Sequence, residues 1–160
     1  MNPVLLIGVD VAAWGAIHAG TGWYVHRLAL ARVDHDTWLT RGRRWERDGR
    51  RYERIGIRRW KDRLPEAGGL FPGGVSKRRL PSTDDAGLHR FAAETRRAEI
   101  GHWLAAAGGP VFVVWNTVPV TMVMVAYGIV VNSPFIAIQR YNRLRVVRIS
   151  ARRAARARRR

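Results

Sequence analysis

Residues 100–139 read IGHWLAAAGGPVFVVWNTVPVTMVMVAYGIVVNSPFIAIQ, and His102 is the only side chain among them that can carry a charge. Soluble domains rarely hold so long an uncharged apolar run, so this stretch is expected to enter a membrane. Two turn signals interrupt it, Gly108-Gly109-Pro110 and Asn116-Thr117-Val118-Pro119. Two arrangements fit them. One is a hairpin of two membrane helices, 101–116 and 120–138. The other is a re-entrant piece followed by one span.

Working outward, residues 3–26 read PVLLIGVDVAAWGAIHAGTGWYVH, with no Lys or Arg and a single Asp. About 20 apolar residues suffice to cross a bilayer. No cationic stretch precedes this run and no clear small-x-small site follows it, so an uncleaved membrane helix is expected instead of a signal peptide. The alternative is a buried helix of a soluble protein. Residues 27–99 form a basic segment. Between Arg27 and Arg97 lie 19 Lys/Arg and 10 Asp/Glu, with Trp38, Trp45, Tyr52 and Trp60 interleaved. It reads as Arg-dense helix to about Arg63, then as a loop through Pro65, Gly68, Gly69, Pro72, Gly73 and Gly74. Pro81-Ser82-Thr83-Asp84-Asp85 opens another helix, expected to run from Asp84 to about Ala107 behind a hydroxyl cap. Residues 140–160 hold ten Arg and no acid. They read as a solvated tail beside anionic headgroups, with AARARRR at its end disordered.

The chain carries 29 Lys+Arg against 12 Asp+Glu, a net charge of +17, and no cysteine. Disulfides, zinc–thiolate sites and thiol nucleophiles are thereby excluded. Three spans put both basic blocks on one side, with the N-terminus outside and the C-terminus in the cytoplasm. The expected class is therefore mainly α: a multi-pass cell-membrane protein with about three transmembrane helices and a basic helical cytoplasmic segment. Such a charge could also serve nucleic acid. No RNP-like, zinc-finger or basic-zipper pattern occurs, and headgroups account for cations beside apolar spans. Nucleic acid is not an expected partner.

The segment Glu94-Thr95-Arg96-Arg97-Ala98-Glu99-Ile100-Gly101-His102-Trp103 carries the clearest chemistry. At 3.6 residues per turn, Glu99 lies about 60° from His102 and Glu94 about 80° away on its other side. Two carboxylates then flank one imidazole at a membrane boundary, and a carboxylate can orient His as a general base. The alternative is a helix-end His beside ordinary salt bridges from Glu94 and Glu99 to nearby Arg. A carboxylate-bridged metal site needs Glu-x-x-His twice, and it occurs once, so no metal is expected. Asp10 lies within the first apolar run with His18 two turns on, which is costly unless it is functional or near the interface. Gln139-Arg140-Tyr141-Asn142-Arg143-Leu144-Arg145 is dense in groups that bind phosphate, carboxylate or sugar hydroxyls, or else anchors the helix end. Trp60 and Lys61 sit among cations, and their alternative is a surface helix lying on headgroups. No Gly-x-Ser-x-Gly elbow, P-loop or GxGxxG is present.

Trp60-Lys61, the Glu94–Trp103 block, Asn132-x-Pro134 and the Gln139-Arg140-Tyr141-Asn142-Arg143-x-Arg145 block together resemble the glycosyl-4,4'-diaponeurosporenoate acyltransferase family. The resemblance is good over 90–148, fair near 52–66 and weak elsewhere. It implies a small bacterial membrane enzyme that esterifies a fatty acyl chain onto the glucose 6-hydroxyl of a glycosylated carotenoid acid, the last step of staphyloxanthin synthesis. Leu144 stands where the family's RYNRPR block has Pro, and the acceptor stays open among a carotenoid glycoside, another glycolipid and a different lipid alcohol. On this reading His102 is the general base, Glu99 orients it and Glu94 is the second carboxylate. Arg140, Asn142 and Arg143, with Gln139, hold the sugar or the donor's anionic head. Lys61, beside Arg59 and Trp60, meets the phosphates of an acyl-CoA or acyl-carrier donor, a co-substrate with no bound cofactor. The other class left open is a non-enzymatic membrane protein that binds anionic lipid or a partner subunit.

Overall fold

The computed structural model describes residues 2–64 and 84–159, apart from the Arg47 side chain. The loop expected at 65–74 and the cap candidates Ser82 and Thr83 lie outside the described residues. Helix α1 spans Pro3–Arg27. Its start follows from Asn2, whose side chain accepts the Val4 amide at 2.9 Å, and from Pro3, which lacks an N–H at a position where none is needed. Short 3-10 helices Leu30–Arg32, Arg44–Gly49 and Lys61–Arg63 surround α2 (Arg50–Arg54) and α3 (Ile57–Trp60). Helix α4 spans Asp85–Ala106, a 3-10 helix covers Gly109–Val114, and α5 spans Val118–Ala157. No strand occurs among the described residues.

The three long helices pack in alternating directions. Running down α4, a Cβ added at Gly101 would meet Val25 Cγ2 at 3.1 Å, and one at Gly108 would meet Ile17 Cγ2 at 2.9 Å. Further on, Trp115 reaches Asp10. So α4 and the turn after it run antiparallel to α1. Helix α5 then returns: Gly128 abuts Trp14, Asn132 meets His102, and Val146 joins Leu88, Phe91 and Ala92 in a buried cluster. The basic segment wraps α5, and Tyr52 and Ile57 form a core with Ile138 and Tyr141.

Three sequence expectations change. The cap of α4 is Asp84, whose carboxylate accepts the Gly87 amide at 2.9 Å. A carboxylate there also meets the positive end of the helix dipole. The stretch 101–116 is not one membrane-length helix: α4 contributes only its last turns, to Ala106, before the 3-10 helix. Two glycines and Pro110 explain the break, since both residue types weaken an α-helix. Gly109 is also pressed on the α5 backbone, where a Cβ would come within 2.7 Å of Val125 Cα. Finally, the Arg-rich end is helical through Ala157. Ala and Arg are strong helix formers, and an existing helix propagates without a new nucleus.

Two helices, Pro3–Arg27 and Val118–Ala157, are long and apolar enough to cross a membrane. Their apolar side chains face outward: Val4, Leu5, Ile7 and Val11 on α1, and Val118, Met122, Val123 and Val130 on α5, are all exposed. Inside the trio, Trp14 packs on Phe112, with ring centroids 5.0 Å apart, and on Tyr127 at 5.2 Å.

Candidate active site

The three long helices change from apolar to charged at one level. On α1 the change comes at Val25-His26-Arg27, on α4 at Glu99-Ile100, and on α5 at Gln139-Arg140. Polar contacts tie these points together. Arg97 donates to the His26 carbonyl at 3.3 Å, and Arg140 Nε donates to Glu99 Oε1 at 2.7 Å.

His102 sits at this junction, half-buried, with its ring stacked on Phe135 at 4.8 Å and 15°. Its Nδ1 lies 3.1 Å from Asn132 Oδ1. Asn132 is 1% exposed, and its Nδ2 donates to the Gly128 carbonyl at 2.9 Å. That second bond orients the amide, because the Gly128 carbonyl oxygen can only accept. Oδ1 is then the atom facing His102, and it accepts from Nδ1–H. The neutral imidazole therefore carries its lone pair on Nε2. A carbonyl oxygen that sets the tautomer of a base is the arrangement general-base chemistry needs. Asn132 has a sequence signal, a lone amide inside an apolar run next to Pro134, but its partner is 30 residues away and spacing does not reveal it.

The two carboxylates that flank His102 in sequence are engaged by guanidinium groups, as in the salt-bridge alternative. Glu94 Oε2 pairs with Arg97 Nη2 at 2.7 Å. Glu99 is fully buried; besides Arg140, it pairs with Arg143 Nη2 at 2.7 Å and accepts Trp103 Nε1 at 3.3 Å. Arg143 Nη2 sits close to Glu99 Oε2 without hydrogen-bond alignment, so that contact is an ion pair alone. Arg140 also donates to Glu46 Oε1 at 3.3 Å and to the Leu39 carbonyl at 2.6 Å. Arg143 donates to the Thr40 carbonyl and lies 3.6 Å from Asp36. Asp36 in turn accepts from Arg96 at 2.6 Å. Glu46, also fully buried, accepts the Tyr52 hydroxyl at 2.5 Å. Burial first, and then this bond to a carboxylate, hold the Tyr52 hydroxyl well above its ordinary pKa. Glu46 and Asp36 escaped sequence reasoning, because in a segment so rich in charge nothing local separates a buried acid from a solvated one.

The remaining candidates spread out. Gln139 and Asn142 are buried on α5; Gln139 Oε1, Asn142 Nδ2 and Arg143 Nη1 have no hydrogen-bond partner among the described residues. Buried polar atoms left so are uncommon and call for a partner. Trp60 packs against the Tyr52–Ile57–Ile138–Tyr141 core, and Lys61 pairs with Asp62, while Arg59 is exposed. Asp10 is buried and accepts Trp115 Nε1 at 2.7 Å and Asn116 Nδ2 at 2.8 Å, tying α1 to the turn before α5. His18 bonds the Trp14 carbonyl at 2.9 Å on the same helix. No group of three or more His, Cys, Asp or Glu able to hold a metal occurs among the described residues.

The chain is similar to curated proteins named glycosyl-4,4'-diaponeurosporenoate acyltransferase. That of Staphylococcus aureus (strain USA300) is 30% identical over 95 residues, covering 58% of this chain and 56% of the relative. That of Staphylococcus haemolyticus (strain JCSC1435) is 33% identical over 110 residues, covering 69% of this chain and 60% of the relative. The chain thus spans somewhat more than half the length of these relatives. No solved structure matches it. The sequence model of the family matches residues 35–152, a stretch that holds the basic segment from His35 onward, His102, Asn132 and the whole ion-pair network. The chain belongs to the glycosyl-4,4'-diaponeurosporenoate acyltransferase family.

Proposed function

We propose that the protein is a membrane-embedded O-acyltransferase that esterifies a hydroxyl of a glycosylated lipid, with a carotenoid glycoside as the acceptor by kinship to the relatives so named. The carrying observation is the His102–Asn132 pair at the apolar–charged junction. Nε2 of His102 takes the proton from the acceptor hydroxyl. The oxygen attacks the carbonyl carbon of an acyl thioester, the new O–C bond forms, and the C–S bond breaks. The proton passes from the imidazolium to the departing thiolate. Phe135 and Asn132 hold the ring, while Glu99 acts at one remove by fixing Arg140 and Arg143 against α4. The apolar faces of α1 and α5 suit lipid acyl chains.

In the membrane, α1 crosses, and 100–139 enters as a hairpin with both basic blocks in the cytoplasm. From Val25 to Asp10, α1 climbs about 22 Å. The hairpin turn meets α1 at Asp10, and α1 continues about 10 Å beyond it. This favours a hairpin that enters and leaves on the cytoplasmic side with no full span, in place of either arrangement read from the sequence, with Asp10, Trp115 and Asn116 satisfying one another at the tip. Such backbone is tolerated at depth where protein buries it.

The test is acyl transfer by the purified, lipid-reconstituted protein from palmitoyl-CoA to a glycolipid acceptor. With His102→Gln, turnover should fall by about 100-fold or more, with unchanged membrane insertion. Wild-type turnover in that variant removes His102 as the base. No transfer by the wild type, with no acylated glycolipid missing from cells that lack the protein, favours the non-enzymatic class.

A further inference from the structure

We propose that the last turns of α5 form a docking arm for an acidic protein that delivers the acyl donor. The inference rests on the acyltransferase reading and names the donor's form. Helix α5 runs without interruption from the apolar layer to Ala157. Its outer half does not turn back toward the lipid. Val146 and Ile149 pack against Leu88, Phe91 and Ala92 of α4, and Arg148 pairs with Glu53 at 2.9 Å, so a second helix and the basic segment hold it upright. From Gln139 to Arg152 the helix rises about 20 Å, and to Arg156 about 25 Å. An average membrane tilt of about 20° shortens this only slightly. The field of anionic headgroups decays over about 8 Å at physiological salt. Arg152, Arg156 and Arg159 therefore stand beyond the reach of the lipid surface that would otherwise explain them. These three are exposed, and no acid occurs anywhere in 140–160. An arm of this charge and height complements an acidic soluble protein, raises its local concentration by steering, and does so above the site that consumes the thioester.

The experiment uses the full chain in nanodiscs of neutral phosphatidylcholine, with palmitoyl-loaded acyl carrier protein as probe. Arg152, Arg156 and Arg159 are replaced together by Glu, and in a second variant by Gln; circular dichroism confirms that both remain helical. Carrier affinity should fall by at least about tenfold, the lower range of what charge steering contributes, and KM for the carrier-bound donor should rise in step. Transfer from palmitoyl-CoA should be unchanged. Carrier binding equal to wild type in both variants overturns the proposal. So does a loss confined to retention on phosphatidylglycerol vesicles, which makes the arm a lipid anchor, or one confined to single-stranded RNA. If the wild type binds the carrier through these residues yet transfers acyl groups from neither donor, the docking arm stands and the acyltransferase reading falls.

Discussion

Asn132 holds the imidazole of His102 through one bond and its own orientation through another, so its side chain matters only for geometry. Asn132→Ala should lower kcat by about fivefold to tenfold, the worth of one hydrogen bond of about 1 kcal/mol, with thermal stability nearly unchanged. A collapse in stability with normal specific activity would make Asn132 a packing residue instead. Glu99 should behave in the opposite way. It is fully buried between Arg140 and Arg143. Removing one partner of a buried ion pair typically costs about 3–5 kcal/mol. Glu99→Ala should therefore yield little folded protein, seen as early unfolding in detergent, while His102→Gln melts like wild type. A Glu99→Ala protein that melts normally but is inactive would return Glu99 to the chemistry.

At the scale of elements, two contacts set the packing of α5. Gly109 lies against the backbone of Val125, which cannot yield as a side chain would. Gly109→Val should push the 3-10 helix off α5 and cost about 1–3 kcal/mol, as overpacking does, read as a lower midpoint of thermal unfolding. At the other end, Glu53 receives Arg148 and Arg58, both at 2.9 Å. The hydrogen bond from Arg148 is the main cause holding its carboxyl below the ordinary value of 4.5; burial opposes it and Arg58 assists. A carboxyl depressed on folding stabilises fully above the unfolded value and loses that effect as pH falls through the lower folded one. The protection factor over 145–157, taken against the intrinsic exchange rate at each pH, should therefore fall in the wild type only below about pH 4.5. In Glu53→Gln the protection factor should be lower already at neutral pH and show no further fall across that range.

For the whole molecule, the arrangement in the bilayer is open to a direct test because the chain has no native cysteine. A single cysteine at Asn2 should react with a membrane-impermeant maleimide added outside intact cells. One at Thr117, in the hairpin turn, should stay unlabelled from that side, and a reporter fused after Arg160 should read as cytoplasmic. Strong external labelling of Thr117→Cys would turn the re-entrant hairpin into two full spans.

The amino-acid order alone determined the helical class, the two membrane-length apolar helices and the block of residues that carries the family's pattern. Those properties follow from local composition: apolar runs long enough for a bilayer, good helix formers, and Gly-Gly-Pro as a breaker. The tertiary structure decided which groups meet. Glu99 lies one turn before His102 along α4, yet it is engaged by Arg140 and Arg143, 41 and 44 residues later. Asn132, from the opposite helix, stands beside the imidazole, a partner that spacing within α4 does not reveal. The physical reason is competition among partners. A buried carboxylate gains most from guanidinium groups brought alongside by the α4–α5 packing, and that packing is long-range information which no periodicity within one helix contains.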